Sequence, residues 1–405
     1  MSAGPRPVRI DVEDALEYAR AVVTHFHEDE TDEQLQPWLP ELRADDYRAW
    51  VVRDRGDIVA NYGAYGMDVS LPGAGTVPVA GVTAVGVSQF HRRRGLLTAM
   101  MTAALDEAVE AGEAAALLFA SESAIYGRYG FGVVAPSVSH RISRPAPFRD
   151  PVDVRLVEPI APGAALETWP GVYEDLRRQR AGAVSRNHAI WRRMLLEDPP
   201  AWRDGASARR LAQVPGRGYA MYRIKEGSDR GLPAGEVRVS ELVATDPVAE
   251  AALWQHVCDI DLTTSIRAGL RPPDDVLPEL LGDRLRAGSR VGPPLYARLL
   301  DVATAFRARS YAASGTLTFE VVDGTRDQSG TYRLEVEADA VEVHRTAAEP
   351  EVTMPVDVAA SVWLGGVRAT QLLAARRLTE HAPGAAARID RLVAVDRAPW
   401  TPFEF

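Results

Sequence analysis

The sequence predicts an α+β (mixed α/β) fold, on three observations. From Trp50 the chain runs through short apolar stretches, "AWVVRD", "DIVANYGAYGMDVSL" and "TVPVAGVTAVGV", broken by Gly and Pro as consecutive strands are. A stretch with helical spacing follows at once, Leu96, Leu97, Met100, Met101, Ala104, Leu105, Ala108 and Val109 sharing one face. A short apolar run at 114–120, "AAALLFA", then reads as a buried strand before a helical turn around Tyr126. Strands first, then helix, strand and helix, point to one layered unit with a contiguous sheet.

Ahead of these strands, residues 11–27 place Ala15, Leu16, Ala19, Val22, Val23 and Phe26 at helical spacing, with Asp11 as the expected cap. Residues 141–152, rich in Pro and Arg, mark a boundary. Beyond it come helical material ("VYEDLRRQR", "HAIWRRMLLED"), strands ("GYAMYRIKEG", "GEVRVSELVATDP") and a helix, "VAEAALWQHVCDIDL". This repeats the earlier order of elements and suggests a structural duplication. After Gly292–Pro294, "LYARLLDVATAFRAR" reads as strand into helix, and residues 315–346 alternate like an antiparallel meander with "DG" and "SG" turns. Two more helices, "PVDVAASVWLGG" and "RATQLLAARRLTE", precede the end at "PWTPFEF". Three domains are therefore expected, at 1–148, 149–294 and 295–405.

The 405 residues are 46% hydrophobic and 25% charged, enough for several cores. A net charge of −10 argues against nucleic acid or an anionic membrane as the main partner and favours cationic substrates. The single cysteine, Cys258, permits no intrachain disulfide, so the cytoplasm is the expected compartment and a core thiol its expected role. Acidic residues occupy the place of a signal peptide's apolar core, and Pro and Gly interrupt the uncharged stretch 69–90, so no membrane span is expected.

The segment "FHRRRGLLT" carries the first chemistry. A strand ends near Val87, Arg92, Arg93 and Arg94 follow, and Gly95 opens a helix whose first N–H groups and dipole suit an anion. Thr98 adds a hydroxyl. The same pattern also fits a solvated basic loop before a core helix.

Together with "SAIYGRYGFG" downstream, the pattern becomes specific. The strand "VTAVGVS", then Arg92-x-x-Gly95-x-Leu97, then Tyr126 through Phe131 resembles the GNAT superfamily of N-acetyltransferases, with Leu97 in place of a small residue and Ser88 where Asp-Pro often stands. "HRRRGLLTAMM", "ASESAIYGRYGFG", "ELVATDP", "LYARLLDV" and the terminal "FEF" are similar to the Eis (enhanced intracellular survival) branch along the whole chain. The resemblance implies two tandem GNAT acetyltransferase folds followed by a sterol-carrier-protein-like α/β domain. It also implies acetyl-CoA as co-substrate, no metal, an aminoglycoside, polyamine or lysine amine as acceptor, and a homohexamer. Carried over, Val85, Gly86 and Val87 would bind the pantetheine arm. Arg93, Arg94, Gly95, Leu96, Leu97 and Thr98 would hold the pyrophosphate, and Ser121 and Glu122 would flank the cofactor beyond the next strand. No arginine run or helix-opening glycine follows "ELVATDP", so the middle domain is expected to lack a cofactor site.

Acetyl transfer to an amine needs a proton removed from the ammonium, an oxyanion stabilised and a thiolate protonated. The resemblance assigns the acid to Tyr126, with Tyr129 as its local rival. Reference values near 10 for a phenol and 8.5 for a thiol make full transfer uphill by roughly 2 kcal/mol. The resemblance gives the base as the C-terminal carboxylate, here that of Phe405. Residue types alone do not reveal it, since the eight histidines are scattered apart from His25 and His27. Glu404 is either an attractor of cations or a solvated acid. A longer-chain acyl donor, or a lipid carrier with an inactive transferase fold, are the competing readings. In the third domain a filled core is favoured over a lipid cavity.

Overall fold

The computed structural model describes residues 6–326, 328–337 and 340–405. The first five residues of the N-terminal reading, and Asp327, Ala338 and Asp339 of the predicted meander, lie outside the described residues. Two compact units result, one from Met1–Ala135, Pro294–Asp396 and Phe405, the other from Pro136–Pro293 and Arg397–Glu404.

In the first unit a helix, α1 (Ala15–His25), precedes the strands β2 (Tyr47–Asp54), β3 (Asp57–Ser70) and β4 (Thr76–Val87), with a short β1 (Val8–Arg9) at the edge. The expected cap at Asp11 is a miss. Asp14 stands at the N-cap without a side-chain bond, because a 3-10 turn over Val12–Asp14 intervenes and the Asp14 N–H bonds the Asp11 carbonyl. Helix α2 (Leu96–Glu110) crosses to β5 (Ala115–Phe119), which runs parallel to β4. Leu96, Met100, Met101, Ala104, Leu105 and Ala108 are buried against the sheet, whereas Val109, also expected there, is 44% exposed. It follows Ala108 by one residue, a 100° step that turns it off the apolar stripe. The order in this unit is β1-β2-β3-β4-β5-β14, with β14 (Arg290–Leu299) antiparallel to β5.

The second unit repeats the arrangement. It contains most of β6 (Gly132–Ser143), then β7 (Glu158–Pro159), two helices, α3 (Pro162–Gln179) and α4 (His188–Leu196), and β8 (Arg210–Val214) with β9 (Gly218–Lys225). A two-stranded hairpin, β10 (Ser228–Asp229) and β11 (Leu232–Pro233), leads to β12 (Gly235–Ala244), helix α5 (Pro247–Cys258) and β13 (Thr263–Arg271). β12 and β13 are parallel across α5, as β4 and β5 are across α2, and the order is β6-β13-β12-β9-β8-β7. Cys258 is buried in the core of this unit, and burial pushes its thiol up to about 12. That is an inert core thiol, as the composition suggests.

The C-terminal part of the first unit is a five-stranded sheet in the order β17-β16-β15-β18-β19. Its strands are β15 (Gly315–Val322), β16 (Gly330–Glu337), β17 (Ala340–Arg345), β18 (Val352–Pro355) and β19 (Thr379–Glu380), with helix α6 (Val356–Trp363) after β18. Phe319 stands between Phe306 (5.3 Å) and Tyr332 (5.6 Å), and Trp363 is fully buried, so large aromatic side chains fill this core.

Candidate active site

The pairing of β4 with its neighbours fails where the site begins. β4 pairs with β5 only from Val79 to Val82, and nothing in the register joins the two strands beyond that point. On the other side the β3 register jumps from Gly63↔Thr83 to Asn61↔Gly86, which sets two residues of β4, Ala84 and Val85, against the single Tyr62 of β3. This is a bulge, and Ala84 adopts a left-handed φ of 49° there. The fully buried Asn61 amide donates to the Ala84 carbonyl, while its oxygen takes the His25 Nδ1. That pairing requires the proton on Nδ1 if the ring is neutral. Gly86 has no room for a side chain, since a Cβ would lie 2.8 Å from His25 Cβ. Val85, Gly86 and Val87 thus sit on an opened, partly exposed strand end. His25, which the sequence sets apart only by its closeness to His27, helps hold the bulge, and nothing in the local pattern signals this.

The basic loop leads from the bulge to α2. Arg93 (φ 62°) and Gly95 (φ 78°) are both left-handed, and Gly95 is the N-cap of α2 with no side-chain cap. A Cβ at Gly95 would have nothing within 4 Å, so the helix start faces open space. Arg92, Arg93 and Arg94 are exposed, and Arg94 donates to the Phe90 carbonyl at 3.2 Å. Leu96 is buried, Leu97 half-buried, and the Thr98 hydroxyl is 3.0 Å from that of Tyr129. Uncapped N–H groups, an open approach and guanidinium groups suit a diphosphate. The residues present fit the CoA moiety. The corresponding helix of the second unit is closed: Asp246 caps α5, accepting from the Val248 and Ala249 N–H groups at 3.0 Å and from Arg217 at 2.6 and 2.8 Å. A carboxylate occupies that helix start and would repel a phosphate.

Beyond β5, Ser121 and Glu122 are exposed, and Glu122 precedes the helical turn Ser123–Tyr126. Tyr126 is 8% exposed and its ring stands edge-on to Phe131 at 5.9 Å. Burial foremost, then the neighbouring Tyr129 and Glu122, pushes its hydroxyl up to about 12. That hydroxyl has no hydrogen-bond partner among the described residues, whereas that of Tyr129 is engaged with Thr98. The two tyrosines are therefore not equivalent.

The chain end is anchored residue by residue. Within the second unit, Trp400 donates from Nε1 to the Leu270 carbonyl at 2.5 Å and from its backbone to that of Ala181 at 2.8 Å. The Phe403 ring lies 4.8 Å from the Arg186 guanidinium, itself fully buried on Glu241 at 2.8 Å. Within the first unit, the Phe405 ring packs on Phe119 at the end of β5, and a Cβ at Gly81 would touch it at 3.3 Å. The Glu404 carboxyl, though accessible, is raised by partial desolvation. Among the described residues, Glu335, Glu342 and His344 bring ligand-type atoms within 4.8 Å of one another, but two are exposed and Glu335 is paired with Arg333.

Comparison with known proteins agrees with this geometry. Residues 7–134 and 182–299 each match an acetyltransferase (GNAT) domain family, and residues 302–402 match the sterol carrier protein domain family. The fold and site thus define a GNAT-type N-acetyltransferase with a C-terminal sterol-carrier-like domain. The chain is 34% identical to N-acetyltransferase Eis of Mycobacterium tuberculosis over 375 residues, covering 88% of this chain and 89% of that protein. An uncharacterized N-acetyltransferase of Streptomyces avermitilis is 36% identical, covering 93% of each. The crystal structure of Eis1 from Mycobacterium abscessus superposes with a TM-score of 0.83 at 28% identity, over 98% of this chain and all of that one. The chain belongs to the Eis family of GNAT N-acetyltransferases. GNAT acetyltransferases use acetyl-CoA as co-substrate and an amine as acceptor. No helix among the described residues is long and apolar enough to cross a membrane.

Proposed function

We propose that this enzyme acetylates a primary amine of a cationic acceptor, an aminoglycoside, a polyamine or a lysine side chain. The observation that carries the reading is the uncapped, Gly95-opened start of α2 beside the splayed end of β4, with Tyr126 close by in sequence beyond β5. When bound, acetyl-CoA supplies an activated acetyl thioester. Val85, Gly86 and Val87 line its pantetheine arm. The run Arg93–Thr98 holds the pyrophosphate, and Ser121 and Glu122 flank the cofactor beyond β5. The net charge of −10 supports a cationic acceptor.

In this reading the Tyr126 hydroxyl donates to the departing sulfur. With that hydroxyl near 12, complete proton transfer to a thiolate of about 8.5 is uphill by roughly 5 kcal/mol. Tyr126 therefore acts first by hydrogen-bonding the developing thiolate, and its proton passes fully only as the second proton released by the attacking amine replaces it. The Phe405 carboxylate takes the ammonium proton, and Glu404 adds negative charge beside it. We assign the acetyl-CoA domain to 1–148, a degenerate acetyltransferase-like domain to 149–294, supported by the Asp246 cap, and the sterol-carrier-like domain to 295–405. A homohexamer in the cytoplasm completes the proposal, the lone buried Cys258 being in keeping with a reducing compartment.

The test is an acceptor screen with acetyl-CoA and mass-spectrometric detection, run beside a long-chain acyl-CoA and a lipid-binding assay. Acetylated polyamine or aminoglycoside is the expected product. Turnover confined to the long-chain donor, or lipid binding without turnover, would displace this reading.

A further inference from the structure

The turn that carries Tyr126 rests on the C-terminal part of the same unit. Gly130 is left-handed (φ 82°), and a Cβ there would lie 2.5 Å from Arg298 Nη1, 2.8 Å from Val356 and 3.0 Å from Arg298 Cζ. At Gly132 a Cβ would collide with the Asp357 carbonyl and lie 2.6 Å from Ser361 Oγ, both on α6. Gly130 and Gly132 thus lie against β14 and α6 with no room for a side chain at either, and the Phe131 N–H between them bonds the Tyr126 carbonyl at 3.3 Å.

Arg298 is the unusual member of that floor. It lies on β14 opposite Ala116 of β5, its side chain is fully buried, and its Nη2 donates to Asp323 at 2.5 Å. Its Nε and Nη1 have no partner among the described residues. Asp323 is itself buried and fixed, its second oxygen accepting from the Thr325 N–H at 3.0 Å and the Thr325 hydroxyl at 2.8 Å. The next residue of this turn, Arg326, reaches Asp106 on α2 at 2.6 Å. A buried ion pair is a poor way to gain stability, since a well-packed apolar pair does as well or better. What such a pair does supply is fixed geometry. An arginine with an unsatisfied Nη1 at the underside of a glycine turn is therefore explained by what the turn holds.

We infer that Arg298, oriented by Asp323, is a positioning residue for Tyr126, fixing the Gly130 turn so that the tyrosine hydroxyl is aimed at the leaving sulfur. The inference rests on Tyr126 as the acid. It gives the sterol-carrier-like domain, through the β15–β16 turn, a direct part in the transfer step.

The test is a double-mutant cycle on the full-length enzyme, with Tyr126→Phe, Arg298→Met and the combination, alongside Arg298→Lys and Asp323→Asn. Arg298→Met should lower kcat on the order of tenfold while KM for acetyl-CoA stays within about twofold. Arg298→Lys should restore part of the loss, and the double variant should be no slower than Tyr126→Phe alone. With an acetyl thioester of a more acidic thiol, the Arg298 and Tyr126 defects should shrink together, because less protonation is required. Fully multiplicative losses, or a lowered melting temperature with unchanged kcat, would overturn the inference. If Arg298→Met does not fold, Asp323→Asn carries the same cycle. Full turnover by Tyr126→Phe would instead remove the acid assignment and this inference with it, whereas a Tyr126 defect independent of Arg298 removes the inference alone.

Discussion

The ring of Phe405 meets that of Phe119 edge-on, with centroids 5.7 Å apart and planes at 70°. Phe119 is the last residue of β5, so this contact fixes the final residue of the chain where β4 and β5 have already parted. If the Phe405 carboxylate is the base, its position matters as much as its charge. Adding a few residues after Phe405 turns that carboxylate into an amide, and deleting Phe405 displaces it by about 3.5 Å of chain. Both changes should depress kcat heavily with acetyl-CoA binding preserved. Gly81→Val, which crowds the Phe405 ring, should do so more mildly. Normal turnover by the extended enzyme, in an intact oligomer by light scattering, would exclude the terminus from the mechanism.

Gly95 offers a test of the anion site. A β-branched residue there must adopt φ near 78°, at a cost of roughly 1–2 kcal/mol, and its side chain projects into the open space at the helix start. Gly95→Val should raise the acetyl-CoA dissociation constant on the order of tenfold or more, measured by calorimetry, with the circular dichroism spectrum retained.

Tyr126 and Tyr129 should separate cleanly. Tyr126→Phe should lower kcat on the order of a hundredfold with little change in cofactor affinity. Tyr129→Phe removes only the bond to Thr98, worth about 0.5–1.5 kcal/mol, and should show mainly as a lower melting temperature. The reverse pattern would move the acid to Tyr129.

The support of the bulge makes stability depend on pH. Burial holds the His25 ring below its ordinary value of 6.5, so the folded chain resists a proton that the unfolded chain accepts. The stabilisation is present above about pH 6.5 and is lost as the pH falls through the folded value. His25→Gln, which retains a donor for Asn61, should flatten part of that acid limb in melting temperature. Asn61→Ala should in addition weaken acetyl-CoA binding, because the Ala84 carbonyl loses its donor. An unchanged acid limb in His25→Gln would assign it to other groups, His256 among them.

Much of this was legible in order along the chain. Period-two and helical spacing located the strands up to Val87, helix α2 and the strand at 114–120, because apolar faces must alternate in register with the backbone. The arginine run, Gly95 and Tyr126 are local signals, since a helix start and a glycine turn are built from adjacent residues. Phe405 entered only through resemblance, and the distinction between Tyr126 and Tyr129 needed the partner Thr98, 31 residues from Tyr129. Asn61 and Arg298 gave no signal at all, His25 stood out only for its closeness to His27, and Asp323 only as part of the "DG" turn. Asn61 supports Ala84, 23 positions on, and Arg298 packs beneath Gly130, 168 positions back. The sequence by itself marked the strands up to Val87, helix α2, the basic loop before it and the family, since each rests on spacing within a segment. Only the tertiary structure decided which buried polar groups brace the site, because a buried amide or guanidinium takes its meaning from the partner that desolvation obliges it to find.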